Sequence, residues 1–226
     1  MGTVVIAMLP FILSAALVPA PLIIVFTLLR GPGGRGAGAA FVAGMAIVRI
    51  AVGVLFGYIL VDAMAGEGAA EPRPVVTTLL LVLGILFWVT AVRTMLKEED
   101  PDAPPPKWQM SLRAASPLTA FGIGAGFMTL SAKQWVFTIG ALGVIAEASL
   151  GGTEAMIAYL VFVLGSLSLV LLPVLATVIA PGPAAVMVEG VGNWLERNNR
   201  PIKIAVSVIF GTYFLWNGLS GLLGLG

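Results

Sequence analysis

The sequence predicts an all-α integral membrane protein with six transmembrane helices, arranged as a three-plus-three inverted repeat in which helices 1 and 4 are broken. Composition gives the first reason: of 226 residues, 59% are hydrophobic and only 10% are charged. An average soluble domain carries roughly a quarter charged residues, so this chain cannot cover a water-facing surface of its own size. Mean hydropathy is +1.05. The second reason is length: a helix needs about 20 apolar residues to cross a bilayer core. The stretches 4–29, 38–61, 75–95, 118–145, 155–179 and 202–222 all qualify. The third is period. Runs such as 78–89 are apolar on every side, without the polar–apolar alternation of a membrane barrel strand.

Each segment has its own signals. Stretch 4–29 has no Lys or Arg ahead of it, is too long for a signal-peptide core and contains Pro10, Pro19 and Pro21, so it reads as a retained helix. Pro19 and Pro21 fall about halfway along it and remove backbone donors there. In stretch 38–61, Gly53 and Gly57 are expected to let a neighbouring helix pack closely. The segment 97–116 holds Glu98, Glu99, Asp100, Asp102 and the prolines 104–106; it reads as a cytoplasmic tether that does not fold as a compact element. Gly122, Gly124 and Gly126 loosen the fourth stretch just before Ser131. Over about 183–199, Ala184, Met187, Val188, Val191, Trp194 and Leu195 recur at helical spacing opposite Glu189, Asn193, Glu196 and Arg197, the pattern of an amphipathic helix in the membrane interface.

The two halves correspond. Pro19-Ala20-Pro21, an apolar run, a Gly-rich turn at 31–38 and a helix with Gly44 match Ser131-Ala132-Lys133, an apolar run, Gly151-Gly152 and a helix with Gly165. Three helices per half make the copies run in opposite directions. The chain thus reads as one transmembrane domain over 1–226, with repeats 1–96 and 117–226 joined by the tether. Inverted repeats whose broken helices meet near the midplane mark transporters.

Charge and composition exclude several functions. No basic surface is available for nucleic acid. Without Cys or His the chain has no thiolate or imidazole metal site, no thiol redox chemistry and no histidine base, so no metal or cofactor is expected. A Ser131–Lys133 acyl-transfer pair is disfavoured because residues two apart do not share a helix face; the chain is not expected to be an enzyme.

Pro19-Ala20-Pro21 with its Gly-rich turn resembles the Pro-Gly-Pro element of the lysine exporter (LysE) superfamily. Leu130-Ser131-Ala132-Lys133-Gln134 is similar to that superfamily's Leu-Asn-Pro-Lys-Ala element. The sequence departs from the pattern at Ala20, Ser131 and Ala132. Within the superfamily, the Pro-rich tether and the whole-chain layout most resemble the sulfolipid and peptidoglycolipid addressing (GAP) family. The resemblance implies a six-helix inverted-repeat exporter that moves lipid-linked or glycolipid material outward.

Two cations fall inside the apolar stretches. Arg49 lies roughly 18 Å along its helix at 1.5 Å per residue, and Lys133 lies at the second break; no Asp or Glu falls at mid-helix. Arg49 is met either by carbonyls and water or by an anion from outside, since charges in a membrane are retained mainly for function. An anionic head group would be held by Arg49 and Lys133, with Ser131 and Gln134 as donors and the Pro19 and Pro21 break nearby. The expected function is export or flipping of an anionic lipid or glycolipid across the plasma membrane, with membrane lipids as partners. A small amino-acid or organic-anion exporter, and an accessory scaffold of a larger lipid-export machine, are the alternatives.

Arg30 and Arg35; Arg93, Lys97, Lys107 and Arg113; and Arg197, Arg200 and Lys203 crowd alternate loops, leaving Arg73 on the other side. The positive-inside rule then places both termini and the 64–74 loop outside the cytoplasm. Single cysteines at Gly2 and Gly66 should react with an impermeant maleimide added to intact cells; labelling from the cytoplasmic side alone would refute this topology.

Overall fold

The computed structural model describes residues 2–65, 72–97 and 107–223, with side chains at 2–57, 77–97 and 110–223. The described residues form helices joined by short turns, in the order α1 Gly2–Ala16, α2 Pro19–Leu29, α3 Gly34–Ala65, α4 Pro72–Leu96, α5 Lys107–Arg113, α6 Pro117–Leu130, α7 Ala132–Glu147, α8 Gly152–Ile179, α9 Pro181–Arg197 and α10 Asn199–Leu222. Helices α3, α4, α8 and α10 are each long and apolar enough to span a membrane. The pairs α1–α2 and α6–α7 meet at bends of 54° and 69°. Counting each bent pair as one span gives six. The loop 66–71 and the acidic part of the tether lie outside the described residues.

Both expected breaks exist, but their chemistry differs from a kink. Pro19 and Pro21 do not distort a continuous helix; they begin a new one, with Val18 extended ahead of them. A proline in the first turn loses only a donor that has no intrahelical partner. Pro10 and Pro173 stand inside α1 and α8 without ending them, so position within the turn decides the outcome. At the second break Ser131 has ψ 105° and closes α6 while opening α7. The Trp135 indole N–H reaches back 2.7 Å to the Thr129 carbonyl, satisfying an acceptor that the end of α6 leaves free.

The tether expectation needs one correction. Residues Lys107–Arg113 form α5, a stretch without Pro or Gly that turns Leu112 inward to 7% exposure and packs on α2. Leu112, Ala115 and the Arg113 carbonyl against Gly31 anchor this end of the segment to the bundle.

Contacts between helices rest on small residues, as expected where lipid removes the hydrophobic drive between spans. Helices α3 and α6 cross backbone to backbone: a Cβ at Gly44 would overlap the Phe121 carbonyl, and one at Gly124 the Phe41 carbonyl. Helices α4 and α10 run antiparallel, Gly84 meeting Leu215 and Gly218 meeting Leu81. Helix α1 packs on α8 while α6 packs on α3, so the first helix of each half lies against the long helix of the other. Phe87 joins the halves near the centre, its ring centroid 5.9 Å from Phe137 and 6.0 Å from Phe214. Leu164, Ile179 and Trp216 lie exposed on the outer surface, where a bilayer would cover them.

Basic residues gather at one end. Arg200 at the start of α10 donates to the Met95 carbonyl at the end of α4, 3.1 Å away. Gly31 sits against the Arg113 carbonyl, so α3 and α6 also start there.

Gly124→Val should push α3 and α6 apart and lower stability by about 1–3 kcal/mol, the usual cost of overpacking. Gly126→Ala, which meets nothing within 4 Å, should be neutral or stabilising. Thermal unfolding of both variants in detergent checks the pair.

Candidate functional site

Lys133 stands in the first turn of α7, immediately after the break. Its Nζ donates 2.6 Å to Thr90 Oγ1 and lies 4.3 Å from the centroid of the Phe87 ring, a cation–π contact that partly replaces lost water. The same ammonium lines a cavity of about 180 Å³ between α2, α4 and α10. Val18, Pro19 and Ala20 bring the first break to this wall, and Asn199 and Lys203 bring the basic end of α10. Lys203 and Asn199 are four apart, hence on one helix face. The remaining walls are largely apolar, with Ile23, Ile24 and Val206. No carboxylate is among the described lining residues. Two lysines and the starts of three helices, α2, α7 and α10, each carrying the positive end of a helix dipole, therefore share one recess.

Arg49 occupies a separate site. It is 1% exposed at mid-α3; its guanidinium donates to Ser166 Oγ on α8 and to Gln134 Oε1 on α7, and lies 5.1 Å from the Phe162 centroid. Tyr159 donates 2.6 Å to the Arg49 carbonyl, a reach that Gly53 allows by having no side chain against the Tyr159 ring. Arg49 Nε has no partner among the described residues. The free space beside the cluster is only about 10 Å³.

Of the residues singled out from the sequence, the structure brings Lys133 and Pro19 together in the recess and ties Arg49 to Gln134 in the closed cluster. Ser131 forms the break through its backbone, its carbonyl accepting from Gln134 N at 3.0 Å and its side chain making no cap bond. Pro21 is buried in the first turn of α2 and does not line the recess. Among the described residues, the neutral side chains of Ser166 and Gln134 meet Arg49. Lys203, Asn199, Thr90 and Phe87 were not apparent in advance. Lys203 sits near a helix start and reads as a topology signal, while Asn199, Thr90 and Phe87 carry no sequence mark of proximity to Lys133.

At the basic end Arg30 latches α9 to α2. Nη1 donates 3.0 Å to Glu196 Oε1, and Nη2 donates to the Val188 and Glu189 carbonyls at 3.2 and 2.9 Å. Any Cβ at Gly192 would strike this guanidinium. Helix α9 turns Ala184, Val188 and Leu195 inward and leaves Met187, Val191 and Trp194 exposed. Its apolar arc thus serves two surfaces, the protein and the outside.

The fold and the recess define a multi-pass membrane protein with a cationic pocket at paired helix breaks. The chain matches the family model of Sap, the sulfolipid-1-addressing protein, over residues 8–220. It belongs to that sulfolipid-addressing family. No curated protein and no solved structure matches it.

Gln134→Leu would leave a buried guanidinium short of an acceptor and should destabilise by about 1–3 kcal/mol. Adding Arg49→Met removes the orphaned charge, so the double variant should be more stable than Gln134→Leu alone. A double-mutant cycle on unfolding midpoints measures the coupling.

Proposed function

We propose that the protein is a transporter that exports or flips an anionic lipid or glycolipid across the plasma membrane, with the recess at Lys133 taking the head group. One observation carries the reading: two lysines and three helix N-termini converge, with no described carboxylate, on one apolar-walled cavity. A volume of about 180 Å³ suits a head group rather than a whole lipid. Acyl chains would remain outside the recess, along the apolar surface of the bundle. The sulfolipid-addressing family agrees with an acidic cargo.

In this reading the halves form an inverted repeat of the lysine-exporter kind. The reciprocal packing of α1 on α8 and α6 on α3 supports it, as does the matching pair of bends. The basic end faces the cytoplasm under the positive-inside rule, the termini lie outside, and the recess runs from the cytoplasmic end toward the midplane. Outward movement of an anion follows an inside-negative potential, worth about 2.3 kcal/mol per charge per 100 mV, so no proton relay is required. An accessory role in a larger lipid-export machine is the second reading. The closed Arg49 cluster favours it, because that part of the centre offers cargo no room.

Lys133→Met keeps the aliphatic stem and removes the ammonium. Affinity for a sulfated glycolipid should fall about ten- to a hundredfold, the loss of one charge-assisted hydrogen bond, with unfolding temperature unchanged or raised. Lys203→Met should cost less, and Lys133→Arg should recover only part, because a planar fork does not replace a compact ammonium. Binding to purified protein, with flipping by the chain alone in liposomes, tests both readings. Unchanged binding with a weakened fold would make Lys133 structural and remove the anionic-cargo argument; binding without flipping would favour the accessory role.

A further inference from the structure

We propose that a second anion site lies at the basic end, where Arg30, Arg35 and Arg113 surround a cavity that binds a phosphate-type tetrahedral oxyanion, carried on a lipid head group or free in solution. The cavity measures about 440 Å³ and is separate from the recess at Lys133, sharing no lining residue with it. Its three guanidiniums come from the end of α2, the first turn of α3 and the end of α5. Segments far apart in the chain therefore deliver the same chemistry to one place.

That convergence is built into the backbone. Gly31 and Gly33 lie directly against the Arg113 and Ala115 carbonyls, which locks the α2–α3 turn to the segment carrying Arg113. Arg30 is anchored, its side chain only 10% exposed, while its Nε is buried without a partner among the described residues. With Nη1 and Nη2 of Arg30 engaged by α9, Arg30 fixes the charge at the cavity wall while Arg35 and Arg113 offer the open donors. Arg35 and Arg113 are exposed and make no ion pair among the described residues. Their forked donors match tetrahedral oxyanions in pairs. Gly34 on the cavity wall is the first residue of the 32-residue helix α3, whose positive end adds to the field. Glu189 also lines the cavity, and with Glu196 already held by Arg30 the balance there remains positive.

The test uses the full chain. Wild type, Arg35→Gln/Arg113→Gln, Lys133→Met and the combination of all three substitutions are reconstituted in phosphatidylcholine vesicles doped with phosphatidylglycerol, and retained phosphatidylglycerol is counted by native mass spectrometry. Inorganic phosphate is titrated calorimetrically into the same proteins in detergent. The Arg35→Gln/Arg113→Gln variant should bind phosphatidylglycerol, phosphate or both at least about tenfold more weakly. Loss confined to the lipid arm identifies a head group as the ligand, and loss in the phosphate arm a soluble oxyanion. Added to Lys133→Met, in which the recess is already disabled, the two arginine substitutions should produce the same further loss, so failure of the Lys133 reading and failure of this one are distinguishable. Because both arginines are exposed, the melting temperature should hold. If it falls, Ala185→Glu on the cavity wall should produce the same loss by repulsion. Wild-type binding in both arms by the folded arginine variant, or by folded Ala185→Glu, overturns the proposal.

Discussion

A bilayer interior offers no hydrogen-bond partner to an open backbone, so any helix interrupted within it must dispose of its own loose donors and acceptors. The rest of this structure depends on how two interruptions meet that constraint. The start of α2 does it by subtraction: two of its first residues, Pro19 and Pro21, have no N–H to satisfy. The junction of α6 and α7 does it by supply, with the Trp135 indole capping the Thr129 carbonyl and the Ser131 carbonyl accepting from the next turn. Subtraction leaves a helix start that brings its dipole to the recess but few donors. Supply leaves a first turn that can carry a functional side chain, and Lys133 is there.

The spans were legible because they are long, and long apolar segments have few alternatives in a chain this poor in charge. Both breaks were also legible, since proline pairs and glycine clusters mark backbone irregularity. Their mechanism was less so: the glycine triplet before Ser131 suggested loosening, whereas Gly124 serves the crossing with α3, and Gly122 and Gly126 face open space. Helix α5 was missed because composition averaged over the tether hides one buried leucine. Lys133 could be picked out since an unpaired charge in an apolar run is conspicuous. Lys203 could not, because a lysine at the start of a span is already explained by topology, and only three-dimensional packing places it in the same recess.

Arg49 and Lys133 look equivalent in sequence and are not equivalent in the fold. Arginine stays charged, so burying it demands fixed partners, and it has them in Ser166, Gln134 and the Phe162 face. The space left beside those partners is about 10 Å³. Lys133 is held by one hydroxyl and one ring, and its ammonium still borders open space. A compact cation with three donors can keep Thr90 and take another partner from the recess.

The two cations are nonetheless coupled through one residue. Gln134 follows Lys133 directly and carries the Oε1 that Arg49 grips. Arg49 therefore ties the first turn of α7 to α3, and through Ser166 to α8, three helices drawn from both halves of the chain. The break at Ser131 ends the helical continuity with α6, so the Trp135–Thr129 bond and the Arg49 clamp together hold the direction of that turn. Arg49 is on this view a positioning residue. It holds the turn so that Lys133 faces Phe87, Thr90 and the recess, and it retains a positive charge in the core with no carboxylate among its described hydrogen-bond partners. A buried cation left unneutralised raises the potential of its surroundings, so Arg49 adds to the positive potential at the first turn of α7.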